Sequence, residues 1–132
     1  MSMMAALEKR ALAGTPHEAA ALRVGEIHGC DYCTAAHTAK ARMTGATAAE
    51  TVTFRKGEAE DPKLKALLDL AGAVVEKRGQ VNDGEIQTAR DRGLSDAEIL
   101  EVLAIVVLNI ITNYINAVVK TKVDVPAAPP IE

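Results

Sequence analysis

Ser95-Asp96-Ala97-Glu98-Ile99-Leu100-Glu101-Val102-Leu103-Ala104-Ile105-Val106-Val107-Leu108-Asn109-Ile110-Ile111-Thr112-Asn113-Tyr114-Ile115-Asn116-Ala117-Val118-Val119 is the stretch that decides the fold class. Ser95 followed three residues later by Glu98 is a capping box, in which each side chain satisfies a backbone N–H of the other. The helix it opens is predicted to reach Lys122. Apolar side chains occupy nearly every face between Ile99 and Val119, as in a helix that is central or buried between subunits. Val102 to Ile115, its most apolar run, is too short to span a bilayer and contains Asn109 and Asn113. Asn109, Thr112, Asn113 and Asn116 share one polar stripe about 100° wide. Hydrogen bonding in the core or across a subunit contact accounts for such a stripe more simply than chemistry does.

Upstream the same 3.6-residue period recurs. Leu64, Leu67, Leu68, Leu70, Ala71, Val74 and Val75 fit it over Lys63 to Arg78, and Gly79 ends the run. A short helix is predicted from Asp83 to Arg92, another from Thr47 to Phe54, and Lys56 to Pro62 reads as a charged, solvated loop. A longer helix starts at Cys30 or Asp31 and runs to Met43, with Gly45 as its stop. Thr15-Pro16 reads as an N-cap and a proline at the first helical position, opening a helix to about Ile27. Met3 to Ala13 is a short helical run. The chain is therefore predicted to be all-α, with about six helices in one domain over residues 1–124. Residues 125–132, with three prolines, form a tail. No alternating strand pattern competes.

Composition agrees. Apolar residues are 48% of the 132 but aromatics only 2%, namely Tyr32, Phe54 and Tyr114. Such an aliphatic, alanine-rich core suits helix packing better than a sheet. A net charge of −3 with mixed signs leaves no basic footprint for nucleic acid. Charge interrupts the first ten residues before any apolar segment develops, unlike a secretory signal. A soluble, cytoplasmic protein with no membrane or nucleic-acid partner is the expectation. In a reducing compartment two cysteines point to catalysis or metal rather than to a structural staple.

Both cysteines lie in Glu26-Ile27-His28-Gly29-Cys30-Asp31-Tyr32-Cys33-Thr34-Ala35-Ala36-His37, with two of the three histidines. On a helix Cys30, Cys33 and His37 fall within about 60° of one another. A thiolate at a helix N-terminus gains from the dipole, an imidazole one turn away can take its proton, and a neighbouring thiol can resolve an oxidised sulfur. Haem attachment needs histidine where Thr34 stands. Zinc held by Cys30, Cys33, His37 and His28, and a chance pairing of buried cysteines, are the competing readings. A proton relay usually ends in a carboxylate. Glu26 lies one turn before Cys30 on an unbroken helix, whereas Glu18 would lie about 18 Å away. Spacing alone selects Glu26. Gly29 is the weak point where the chain could bend.

Leu22 to Thr38, continuing through Ala39-Lys40-Ala41-Arg42-Met43-Thr44-Gly45, resembles the core of the AhpD-like alkylhydroperoxidases of the carboxymuconolactone decarboxylase superfamily. The resemblance covers most of residues 16–120. It implies an all-α domain assembling into trimers or hexamers, and a peroxidase needing no cofactor or metal. Cys33 would attack the peroxide, Cys30 would resolve the sulfenic acid as a disulfide, and His37 with a glutamate would carry protons. A lipoyl or thioredoxin-like protein would be the reductant. The resemblance places the glutamate at Glu18, against the choice from spacing, and the nucleophile at Cys33, where the dipole argument favours Cys30. Tyr32 departs from relatives with histidine before the second cysteine. Protein disulfide exchange without a peroxide step and a non-catalytic helical oligomer are the alternatives.

Overall fold

Three consecutive alanines with no exposed surface, Ala19, Ala20 and Ala21, mark the helix on which the others pack. The structure, a computed structural model, describes residues 10–132. Among them are six helices and no strand: α1 (Thr15–Ile27), α2 (Asp31–Met43), α3 (Ala48–Arg55), α4 (Pro62–Glu76), α5 (Asp83–Asp91) and α6 (Asp96–Val119). Helix α1 contacts α2, α3, α4 and α6, and α4 also packs against α5 and α6. Small side chains let four neighbours approach one axis closely. Leu22, Val24, Leu67, Leu68, Val102, Ile105 and Val106 fill the space between them, with Phe54 as the sole buried aromatic of the apolar cluster.

Local signals set the ends of the helices. Thr47–Glu50, Asn82–Glu85 and Ser95–Glu98 are complete capping boxes, and Asp61 caps α4 by accepting from Leu64 N–H. Glu98 also takes a hydrogen bond from Lys63 Nζ at 2.8 Å, which holds its carboxyl below the usual range and ties α6 to α4. The cap of α1 differs from the prediction. Gly14 occupies that position and Thr15 is already helical, because φ of +84° at residue 14 suits only glycine comfortably. The hydroxyl of Thr15 instead bonds to that of Thr44 at 2.8 Å. The predicted helix over Met3–Ala13 lies largely on residues 1–9, outside the described residues. Beyond them, Ala11 N–H and Leu12 N–H donate to the carboxylate of Glu101, which fixes this turn to α6.

Helix α6 ends at Val119, short of the predicted Lys122, because Lys120 turns left-handed at φ 55°. With 24 residues it is also longer than its most apolar run suggested. By length and composition alone it could cross a membrane. It is instead built into the domain along one stripe, with Ile99, Val102, Ile105, Val106, Asn109 and Asn113 buried. Its other face is uncovered in the single chain, where Leu100, Val107, Ile111, Ile115 and Val118 form an exposed apolar row.

Leu68 has no exposed surface at the α1–α4 contact. Leu68→Ala is expected to cost about 2–5 kcal/mol through lost burial and the cavity left behind. A lowered urea midpoint with an unchanged slope checks this.

Candidate active site

The site is made by the way α1 ends. Gly29 adopts φ +65°, a conformation glycine enters without strain. Gly29 N–H donates to Glu26 C=O at 3.1 Å and Cys30 N–H to Gly25 C=O at 3.0 Å, the paired bonds of a Schellman termination. The chain therefore reverses, and Cys30 caps the next helix at once. Its Sγ accepts from Cys33 N–H at 3.3 Å. Helix α2 runs back along α1. The two helices lie close at Gly25, where a Cβ would stand in ordinary contact, 3.4 Å from the Thr34 methyl and 3.6 Å from Cys33 Cβ.

The reversal decides between the two glutamates. Glu18 Oε2 lies 2.6 Å from His37 Nδ1, and both side chains are close to nine-tenths buried. With Glu18 ionised, Nδ1 carries the proton and Nε2 is left as the basic nitrogen. Glu26, the choice from spacing, does not serve His37. Its Oε2 takes a 2.9 Å hydrogen bond from Arg55 Nε of α3. That choice assumed a helix unbroken through Gly29. A reversal there turns residues just before the hinge toward another neighbour and aligns residues far from it.

Cys30 and Cys33 are bonded to each other as a disulfide at the start of α2, both largely buried. Their place at a helix N-terminus sets backbone N–H groups and the positive end of the dipole beside the sulfurs. On the far side, Asn116 of α6 donates its amide to Cys33 Sγ at 3.5 Å. His28 lies at the hinge, its ring centroid 5.0 Å from that of Tyr114 in an edge contact. Burial lowers the pKa of His28, against a smaller upward pull from the Asn113 side chain, so its neutral form is favoured near pH 7. His17 is buried, at 3% exposure. Among the described residues no three His, Cys, Asp or Glu side chains converge as a metal set.

Two contacts escaped the sequence reading. Arg55, between the predicted Thr47–Phe54 helix and the Lys56–Pro62 loop, is buried against Glu26 and also donates to Pro129 C=O. The end of the chain therefore lies beside the N-terminus of α2, where Asp31, Thr34, Arg55, Val123, Ala127 and Ala128 line a small cavity. Asn116 was seen as part of a stripe, without any signal that it reaches a sulfur 83 positions away. A cavity of about 420 Å³ between α4 and α5 contains none of the candidate residues.

Residues 3–60 match the carboxymuconolactone decarboxylase family. That segment contains Glu18, Cys30, Cys33 and His37. The same fold occurs in solved structures. One is an uncharacterized peroxidase-related protein from Silicibacter sp. TM1040, with TM-score 0.84, 19% identity and 91% of this chain aligned to 65% of that one. Another is an uncharacterized peroxidase-related protein with an alkylhydroperoxidase AhpD core from Ralstonia eutropha JMP134, with TM-score 0.81, 21% identity and coverages of 88% and 64%. The chain shares the all-α fold of these structures, and its N-terminal part, residues 3–60, resembles the carboxymuconolactone decarboxylase family.

A third AhpD-like fold is a protein of unknown function from Agrobacterium tumefaciens whose suggested assignment is antioxidant defence protein AhpD. It aligns with TM-score 0.84, 20% identity and coverages of 94% and 87%. The chain thus spans about two thirds of the first two AhpD-like structures and most of the third. No curated protein matches it. At these identities the structural likeness speaks for the fold.

Proposed function

We propose that the protein is a thiol-dependent peroxidase with Cys33 as nucleophile, Cys30 as resolving thiol, and His37 with Glu18 as the proton relay. The observation that carries this is the 2.6 Å Glu18–His37 contact on the helix pair that also holds the bonded cysteines. A purely structural disulfide has no need of a buried, carboxylate-oriented imidazole one helical turn beyond it.

In the reduced protein, His37 Nε2 takes the Cys33 thiol proton. The thiolate attacks one peroxide oxygen and the O–O bond breaks. Cys33 becomes a sulfenic acid, and the leaving alkoxide receives the proton back through His37 and departs as an alcohol, or as water from hydrogen peroxide. The Cys30 thiol displaces the sulfenic hydroxyl, giving the Cys30–Cys33 disulfide and one water. A protein dithiol of the lipoyl or thioredoxin-like class then supplies two electrons and two protons, restoring both thiols. The dipole and the Cys33 N–H favour Cys30 as thiolate; the assignment of Cys33 as nucleophile follows the family resemblance.

We read the protein as a soluble cytoplasmic homo-oligomer, a trimer or hexamer, and the exposed apolar row on α6 supports a subunit contact. We read residues 1–124 as the functional domain and 125–132 as an appended tail. Mass spectrometry of the reduced protein after one equivalent of peroxide tests the function. A Cys30–Cys33 disulfide formed rapidly without any partner is the expected result, with a Cys30→Ser protein stopping instead at the Cys33 sulfenic acid, which a second equivalent carries to sulfinic acid. Thiols that survive peroxide but exchange with a protein disulfide would replace this reading with that of a disulfide oxidoreductase.

A further inference from the structure

The two sulfurs differ in who donates to them. Cys30 Sγ accepts from a backbone N–H, that of Cys33, whereas Cys33 Sγ accepts from a side chain of another helix, Asn116 Nδ2 at 3.5 Å. The orientation of that amide is set by the chain itself. Thr121 Oγ1 donates to Asn116 Oδ1 at 2.7 Å, so the carbonyl end is occupied and the NH₂ end is turned to the sulfur. Thr121 is in place because α6 stops in a left-handed residue. Lys120 has φ 55° and ψ 50°, and the N–H groups of Lys120 and Thr121 both return to Asn116 C=O. The turn folds the Thr121 hydroxyl back over Asn116, and a helix continued to Lys122 would carry it away.

We infer that Asn116, held by Thr121, is a positioning residue that stabilises Cys33 as the thiolate and so favours the reduced form of the pair. This deepens the thiol-peroxidase reading and rests on it. A disulfide sulfur is a weak acceptor and a thiolate a strong one, so one fixed donor gains strength when the bond is reduced. The dipole at the head of α2 acts on both sulfurs and favours Cys30; Asn116 acts on Cys33 alone. Cys30 has both the dipole and the Cys33 N–H on its side, so Asn116 works against that preference and raises the share of Cys33 thiolate. The titratable groups on the elements packed around Cys33 include His17, Glu18, Arg23 and Glu26 on α1, His28 at the hinge after it, Asp31, Tyr32 and His37 on its own helix, and Tyr114 on α6. Asn116 itself carries no charge and does not titrate, so its effect is a displacement of the Cys33 titration at every ionic strength.

The test uses the full chain in a Cys30→Ser background, where Cys33 is the single thiol, and follows thiolate absorbance and alkylation rate against pH. Asn116→Leu is expected to raise the Cys33 pKa by about one unit, the size of one charge-assisted hydrogen bond in a partly screened site. Thr121→Val, which frees the amide without removing it, is expected to raise it less, and keeps the test available if the Leu protein does not fold. With both cysteines present, equilibrium of the disulfide with two glutathione thiols is expected to move about tenfold toward the protein disulfide in Asn116→Leu, or about 30 mV. A wild-type Cys33 titrating well below an ordinary thiol, with no shift in either variant, overturns the role of Asn116 and leaves the peroxidase reading standing. A wild-type Cys33 titrating as an ordinary thiol, near pH 8.5, overturns both.

Discussion

Cys33→Ser is expected to abolish peroxide consumption. A serine hydroxyl in place of the thiol has no accessible oxidation step, so no residual rate above that of free cysteine in the buffer remains. Cys30→Ser is expected to behave differently. It retains one round of peroxide reduction per chain and then stalls, because the sulfenic acid has no neighbour to resolve it. Stopped-flow consumption of hydrogen peroxide by pre-reduced protein separates the two outcomes. A Cys33→Ser protein that keeps turning over would reverse the assignment and make Cys30 the nucleophile, the sulfur that the helix dipole alone selects.

The second large effect concerns the carboxylate. Glu18→Gln is expected to slow Cys33 oxidation on the order of 10²-fold near pH 7, within the range for losing a positioned acid–base contribution. The amide can still meet His37 Nδ1, at which Glu18 Oε2 now lies 2.6 Å away, but it no longer stabilises the imidazolium formed when the thiol proton is taken. Glu26→Gln is expected to change the rate by less than about threefold. Its loss falls on stability, because it leaves the buried Arg55 with a neutral partner. Measuring both variants against pH distinguishes a relay from a structural pair. Only Glu18→Gln should displace the acidic limb of the profile. Equal losses in the two variants would mean that neither glutamate has a special place in the chemistry.

The six helices were legible because each carries its own local instruction. Ser95–Glu98 announces α6, Gly45 and Gly79 end runs of the right period, and the aliphatic composition leaves no competing sheet. Boundaries slipped where tertiary geometry outweighed the local preference. Thr15 yielded the cap of α1 to Gly14, and Lys120 broke α6 before Lys122. The cysteine pair and His37 were legible from spacing on one helix. The glutamate was not, since Glu18 and Glu26 differ only in what a single left-handed residue, Gly29, does to the chain between them. Resemblance to a family supplied that answer, and the Schellman bonds at Gly29 and Cys30 give its physical reason. Arg55 and Asn116 were out of reach for a related cause. Their partners lie 29 and 83 positions away, and nothing in their immediate neighbours distinguishes them from a surface cation and a core amide.

The central claim is that Cys33 in this setting is a thiol made reactive toward peroxide. The most direct measurement is the second-order rate of Cys33 oxidation by hydrogen peroxide in the reduced wild-type protein, followed by stopped flow across pH 5 to 9. A rate at least about a hundredfold above that of an unperturbed thiol, already at its plateau well below pH 8.5, is the predicted result. A rate equal to that of free cysteine, rising with hydroxide up to an ordinary thiol pKa, would contradict it.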